Sequence, residues 1–473
     1  MTAVIAGIAI VVGLLTVSVN KNVFSGLVNR DEESSATEPT TVTDLGGGVI
    51  QCASIVQGVR DSNLVDGNYT FRVKGKTSDG TEQTMNYDIE LVNYTSDMHY
   101  SLASGQTATT YSLGNDTKDY KMLVVKYHGN LTIDSGVTIT ANRASDNLTY
   151  KKGMYICVMG TMTNNGNISM TARGTYNQTG ENVFLWKNTN SSFEYVPANG
   201  GAGLAAHTAT GYSNYGTKGK DGSNRGTGGG GQGGYITNGN NGSSNSYIGL
   251  STGGSSYSGG NGSGGLVRCN CSALGASYTQ ASATNGGNGY AYDDNSNSSY
   301  IAGGGAGQVG GSSSYNRMST SYGQDKAVSG TGGLLILYAD TFTNTGSITS
   351  QGSHGGGGYA YGSKNYNGAV GGGGSGGGSV NIFYNTTKAL GSMSASGGAG
   401  GDFSSANGNM NMGRYNGGAG GNGSVTVTQL LPDLNYAKKQ IQVNVGGTYS
   451  VNKSDFSYTH QNEVQGSTVL LAI

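Results

Sequence analysis

Charge is the first thing this sequence has little of. Asp, Glu, Lys and Arg make up 11% of 473 residues and nearly cancel, leaving a net charge of -1. That share is under half the usual one. A disordered polyelectrolyte is excluded, because high net charge is missing. Nucleic-acid binding by bulk electrostatics is excluded too, because there is no basic excess to neutralise phosphates. Proline is nearly absent at 3 residues, there is 1 Trp, and hydrophobic residues reach only 35%. Convincing helical periodicity is missing after residue 25.

Glycine, at 87 residues, takes up what is missing, together with Ser, Thr, Asn and 31 Tyr. That many tyrosines against 8 Phe favours half-exposed β surface over a thick core. The stretch that organises the chain is Lys152 to Gly174, KGMYICVMGTMTNNGNISMTARG. A short apolar run, Met154 to Val158, leads into period-two alternation around Asn164-Asn165-Gly166. This reads as strand, turn, strand, with Asn and Gly supplying positive φ at the turn. The device recurs at Met122 to Ala141, Leu334 to Gly352 and Ser379 to Gly398, with turn glycines Gly136, Gly346 and Gly391. Repetition of one strand pattern predicts a repeating, right-handed β architecture interrupted by long insertions. It also predicts one buried column of Ile133, Ile168, Ile348 and Met393.

Along the chain, residues 1–25 form an apolar segment expected to be a helix. As a helix, Thr2 to Val19 would be about 27 Å long, near the thickness of a bilayer core. Nothing basic precedes it, so a removed basic leader is one expectation. Residues 26–48 are a polar linker with Pro39, and 49–120 a small β region. In that region Tyr69 to Val73 and Met85 to Tyr94 flank Ser78-Asp79-Gly80, a hairpin signal. Residues 121–431 form the repeating body, and Val183 to Val196 within it reads as a further hairpin. Between Asn199 and Gly330 the composition shifts to Gly, Ser, Asn and Tyr. Two readings compete there: flexible loops, or extended chains stacked as in polyproline-II bundles. The tyrosines spread through it, among them Tyr257, favour the ordered reading. Residues 432–473 are a C-terminal β segment whose apolar end, Val469 to Ile473, is expected to be paired.

Motifs that carry chemistry are sparse. His99, His128, His207, His354 and His460 are scattered, with no Ser or Cys nucleophile motif beside any of them. Asp293-Asp294 is the one acidic doublet of the glycine-rich region, and it reads as solvated. Gly228 to Gly231 lacks the Lys-Ser/Thr of a phosphate loop. No cofactor, no metal and no catalytic residue is expected. Cys52, Cys157, Cys269 and Cys271 read as buried thiols or as disulfides of an oxidising compartment, with Cys52–Cys157 the least specific pairing. Asn-x-Ser/Thr sequons at Asn68, Asn93, Asn115, Asn130, Asn147 and Asn167 are candidate glycosylation sites.

The strand motifs MLVVKYHGNLTI, KGMYICVMGTMTNNGNISMTARG, NVFLWKNTNSSFEYVPANGGAG, TGGLLILYAD and GGGSGGGSVNIFYN carry a resemblance. They look like glycine-rich β-solenoid surface or tail-fibre-like proteins of low-GC Gram-positive bacteria and their phages. The resemblance spans roughly Tyr69 to Val427 and implies a surface or fibre role. Thr2 to Val19 looks like the processed hydrophobic helix of type IV pilin-like proteins, but carries Ile5 where the bacterial pattern has Glu. The expectation is a mainly β, non-catalytic extracellular protein. Its leading form is the subunit of a pilus-like filament, a homopolymer held through Val4, Ile5, Ile8, Ile10, Val11, Val12, Leu14, Leu15 and Val17. The alternatives are a membrane-anchored adhesin for surface glycans, a phage tail fibre and a carbohydrate-active enzyme.

Overall fold

The computed structural model describes residues 42–76, 81–115, 121–142, 151–175, 216–223, 225–234, 251–263, 307, 330–357, 371–402 and 416–430, and elsewhere the backbone of the strands named below. The protein is mainly β, built on large sheets. Its repeating part is a series of units. Each unit has a long strand, a turn and a short strand.

Alternating apolar residues produce the long strands, and neighbouring units pair them in parallel. Glu82–Tyr94 leads, followed by Met122–Tyr127, Met154–Asn164, Leu334–Asn344, Ser379–Ala389 and Ser424–Gln429. The short strands Thr109–Leu113, Val137–Ala141, Asn167–Ser169, Ser347–Thr349 and Ser392–Ser394 form a second parallel sheet. One apolar core lies between the two sheets, lined by Leu123, Val125, Ile156, Leu337 and Ile382 from one and Ile139, Ile168 and Ile348 from the other. Of the predicted column, Ile168 and Ile348 are buried and Met393 is half-buried. Ile168, Ile348 and Met393 are register partners, but Ile139 precedes them, not Ile133. Ile133 is buried in the same core on a strand that pairs with Met154–Asn164.

The turns repeat as well. Asn164 and Asn344 are wholly buried and stacked, with Asn164 Nδ2 donating to Asn344 Oδ1 at 2.8 Å. Asn344 Nδ2 donates in turn to Leu390 O at 2.7 Å. Positive φ occurs at Gly136 and Gly391, as expected, but not at Gly166 or Gly346. Those two are glycine for space: a Cβ on Gly346 would collide with the carbonyl of Gly166.

The small β region continues the large sheet at its other end, and a second apolar core lies on the sheet face turned away from the short strands. Gly67–Lys76 and Glu82–Tyr94 pair antiparallel as the predicted hairpin, whose turn lies outside the described residues. Val49–Cys52 adds beyond them, then Thr43–Asp44. A helix missed by periodicity, Ile55–Asp61, packs on this face through Ile55, Val56 and Val59. Its signal was Ser54-Ile55-Val56-Gln57, a capping-box spacing: Ser54 Oγ accepts from the Gln57 N–H at 3.2 Å. Val183–Lys187 and Tyr195–Ala198 form the second predicted hairpin.

The glycine-rich stretches are ordered where described, as stacked extended chains. The N–H groups of Gly216, Gly219 and Gly222 donate to the carbonyls of Asn416, Ala419 and Asn422 at 3.0, 2.9 and 2.7 Å. Those of Gly228, Gly231 and Gly234 donate to Gly377, Gly374 and Gly371, each at 2.8 Å. Every third residue bonds in the same direction, which is the period of a polyproline-II helix. The intervening residues bond other neighbours: Gly229 donates to Lys220 and Gly230 to Thr252. One segment therefore bonds several chains around it, as a strand in a sheet cannot.

Among the described residues the N-terminal helix expected from the sequence is not seen. Among the described residues of that segment, Ile8–Ile10 and Leu15–Ser18 are strands, and they pair antiparallel with Val469–Leu471 and Thr448–Val451. The β-branched Val and Ile that crowd this stretch favour strand over helix. Val4, Ile5, Val11, Val12 and Leu14 lie outside the described residues. Among the described residues no helix is long and apolar enough to cross a membrane. The apolar C-terminal end is paired, as expected.

Gly376 tests the bundle. A Cβ there would overlap the carbonyl of Gly228, whereas one on Gly357 meets its nearest atom, the Asp402 carbonyl oxygen, at 3.2 Å. Overpacking of this kind costs about 1–3 kcal/mol or more. In urea melts, Gly376→Ala should lose at least that much and Gly357→Ala clearly less.

Candidate functional site

Two regions stand out: a buried cluster of polar groups under the short helix, and the apolar far end of the strand stack. The cluster follows from the alternation of the long strands, whose residues Lys126, Tyr155, Cys157 and Tyr338 face the helix. Lys126 is 2% exposed. Its Nζ donates to the carbonyls of Val59, Arg60 and Ser62 at 2.9, 2.8 and 2.6 Å. These are carbonyls at the C-terminal end of the helix, where a cation also meets the negative end of the helix dipole. Burial pulls the lysine below its ordinary pKa, opposed by Cys157 and Asp61.

Arg60, 5% exposed, grips Asp61 through Nε–Oδ1 at 2.6 Å and a second nitrogen at 3.0 Å. Its guanidinium lies 5.8 Å from the centre of the Tyr338 ring. Tyr155 donates to Val56 O at 3.1 Å. Asn385 donates to Asp340 Oδ1 at 2.6 Å and to the Tyr338 hydroxyl at 3.2 Å. At the edge of the inter-sheet core, Lys151 and Glu90 form a buried ion pair, and the Asn115 N–H donates to the second carboxylate oxygen at 2.8 Å. Arg225 bonds Asn381 and Thr428 and lies over the Phe383 ring. Lys126, Tyr155 and the Arg60–Tyr338 contact tie the helix to the sheet, while Asn385 joins neighbouring strands within it.

Cys52 and Cys157 are free and buried. Burial pushes Cys52 up to about 12 and Cys157 up to about 11. The Cys52–Cys157 pairing does not form. Their strands are four positions apart in the sheet, roughly 19 Å at about 4.8 Å per step, beyond the reach of a disulfide. The backbone of Cys269 lies on the strand Leu266–Cys269, and Cys271 falls outside the described residues.

The histidines stay apart. His99 Nε2 meets Asp134 Oδ1 at 2.9 Å, His128 meets Asn93 Oδ1 at 3.3 Å, and His354 Nδ1 meets Gly355 O at 3.1 Å. His207, His460 and Asp294 are outside the described residues, and Asp293 is placed by its backbone on Ala291–Asp293. Among the described residues no three His, Cys, Asp or Glu gather as metal ligands would.

Of the sequons, Asn68, Asn115 and Asn130 are exposed, Asn93 and Asn167 are half-buried, and Asn147 is outside the described residues. Asn130 is held by Asp97, and its Oδ1 accepts from the Thr161 N–H at 2.8 Å. Asn167 Oδ1 accepts from Ser347 Oγ at 3.0 Å. These two side chains tie units together.

The far end of the stack is unlike the rest. Ser424–Gln429 is the last strand of the large sheet, and among the described residues no short strand follows it. Val425 and Val427 continue the core-facing rows of Val380 and Ile382, which are fully buried. They are themselves 40% and 37% exposed.

No protein family, no curated protein and no solved structure matches the chain.

The thiols yield a pH prediction. A raised thiol pKa means that the folded state keeps its proton where the unfolded state loses it. The stabilisation is complete below about pH 9 and is lost as pH rises towards the folded values of about 11 and 12. Stability should fall across that window, and the fall should shrink in a Cys52→Ala, Cys157→Ala variant. In unreduced native protein both thiols should resist alkylation at pH 8 and react once the chain is unfolded.

Proposed function

We propose that this chain is a non-catalytic structural protein of an extracellular surface, a subunit that polymerises into a filament, with a glycine-rich β-solenoid as its body. The observation that carries the reading is the parallel register of successive two-strand units joined to a glycine lattice. Both recur from unit to unit, a pattern that tolerates long insertions between the strands. The buried charges support it. Lys126, Arg60, Lys151 and Glu90 are spent on helix ends and opposite charges inside the scaffold. Thiols held protonated support a structural role over nucleophilic chemistry.

The polymer is homomeric in this reading, and the apolar N-terminal segment is its assembly element. That segment forms strands here, so the contact it makes between copies is of strand type, not a core of packed helices. The resemblance to surface and tail-fibre proteins points the same way.

The test is imaging of the full-length protein by negative stain, beside a chain lacking Met1 to Asn20. Fibres are expected from the first and soluble monomers from the second. Fibres that persist after the deletion, or a full-length chain that stays monomeric at every concentration, would overturn the reading.

A further inference from the structure

The two sheets end out of step. On the large sheet, Ser424–Gln429 extends one strand beyond Ser379–Ala389. On the small sheet, Ser392–Ser394 is last, opposite Ser379–Ala389. The core between the sheets therefore opens at this end. Val425, Val427 and Leu390, at 40%, 37% and 42% exposure, stand at its mouth, while Val380 and Ile382 one strand inward are fully covered.

The residues of the edge strand supply none of the usual protection, and the one charge against it is Arg225, bonded to Thr428 on the face away from the core. Natural edge strands carry charge, proline or a bulge, which stop other chains from adding. Ser-Val-Thr-Val-Thr-Gln has no charge and no proline. The opposite end of the same sheet is closed by the antiparallel Gly67–Lys76, then Val49–Cys52, and finally by the two-residue strand Thr43–Asp44. One end is finished and the other is open, so two copies cannot join simply by continuing both sheets.

What fits the open edge is an uncharged strand with apolar side chains at alternate positions. Leu15-Thr16-Val17-Ser18-Val19 has that alternation, and Leu15–Ser18 has strand conformation here, paired with Thr448–Val451 of its own chain. Residues 20–41 separate it from the body, a contour of roughly 70 Å when extended.

We propose that the N-terminal segment of one copy adds as a strand to the Ser424–Gln429 edge of the next. Val427 and Val425 are then covered by Leu15, Val17 and Val19. The added strand takes up the free backbone groups of the edge, the mode of strand complementation. The donor leaves Thr448–Val451 to do so. Donor and acceptor are different segments of the chain, so the contact is heterologous and propagates as a fibre. This inference rests on the filament reading and names its contact.

The test uses two full-length chains, both carrying Cys269→Ser and Cys271→Ser. One has Thr16→Cys and the other Thr426→Cys. Mixed and oxidised, they should give a disulfide-linked dimer of the two kinds, with neither chain alone giving more than a tenth of that yield. A third chain, Val427→Lys, should lose at least tenfold in fibre mass while its circular dichroism and melting temperature match the parent. If the parent forms fibres but the mixed dimer is missing, or if Val427→Lys still forms them, the docking is wrong and the filament reading stands. Dimers of Thr426→Cys with itself would mean that two edges pair across a two-fold axis, which also overturns the docking. A parent that forms no fibre overturns the filament reading itself.

Discussion

Backbone hydrogen bonds between closely approaching chains hold this protein together, and they require that side chains be absent. Buried N–H and C=O groups must find partners. Residues 226–234 and 371–378 are buried along their length and have few side chains to offer. They meet the requirement by bonding neighbouring chains in several directions at a period of three. At Gly228, Gly230, Gly373 and Gly376 alike, the place of a Cβ is already taken by a neighbour's backbone. The glycine content is thus a packing demand. The later strand units depend on it, because from Asn167–Ser169 onward the chain that leaves one unit returns to the next by way of this lattice.

Charged side chains solve the same problem at other seams. The end of the short helix presents carbonyls with no intrahelical partner, and Lys126 reaches them from a neighbouring strand. Asn344 does likewise at a turn, where a buried carbonyl of the next unit needs a donor. Both residues stand where regular secondary structure leaves a backbone group unmatched.

Much of this was legible in the sequence, because side-chain period reports directly on strands. The alternation in Met122 to Ala141, Lys152 to Gly174, Leu334 to Gly352 and Ser379 to Gly398 gave the units, and shared turn residues gave their equivalence. In the described parts of Asn199 to Gly330 the ordered reading holds, and Tyr257, one of the tyrosines that favoured it, is 2% exposed. Ile133 was misplaced because the second unit divides its strand material into three pieces, and the turn glycine alone does not show which isoleucine follows. The helix Ile55–Asp61 escaped because seven residues are too few for a period to emerge, although Ser54 and Gln57 marked its start. Thr2 to Val19 was misread because length and hydrophobicity do not separate a helix from strands; its β-branched content does. Nothing local marks the cluster around Lys126, which assembles only when Val59, Arg60 and Ser62 arrive from elsewhere in the chain. The unequal ends of the two sheets likewise appear only once both registers are known.

The glycine lattice also bears on how the protein responds to temperature. An ordinary core hides methyl and methylene groups, whose exposure on unfolding raises the heat capacity; exposure of amide groups lowers it. Here a large part of the buried surface is amide. The heat-capacity change per residue should therefore fall below the usual value of about 12–15 cal/mol/K. A smaller change flattens the dependence of stability on temperature, and it moves cold denaturation further from the working range. A body built this way keeps its shape across hot and cold alike, without needing to be unusually stable at any one point.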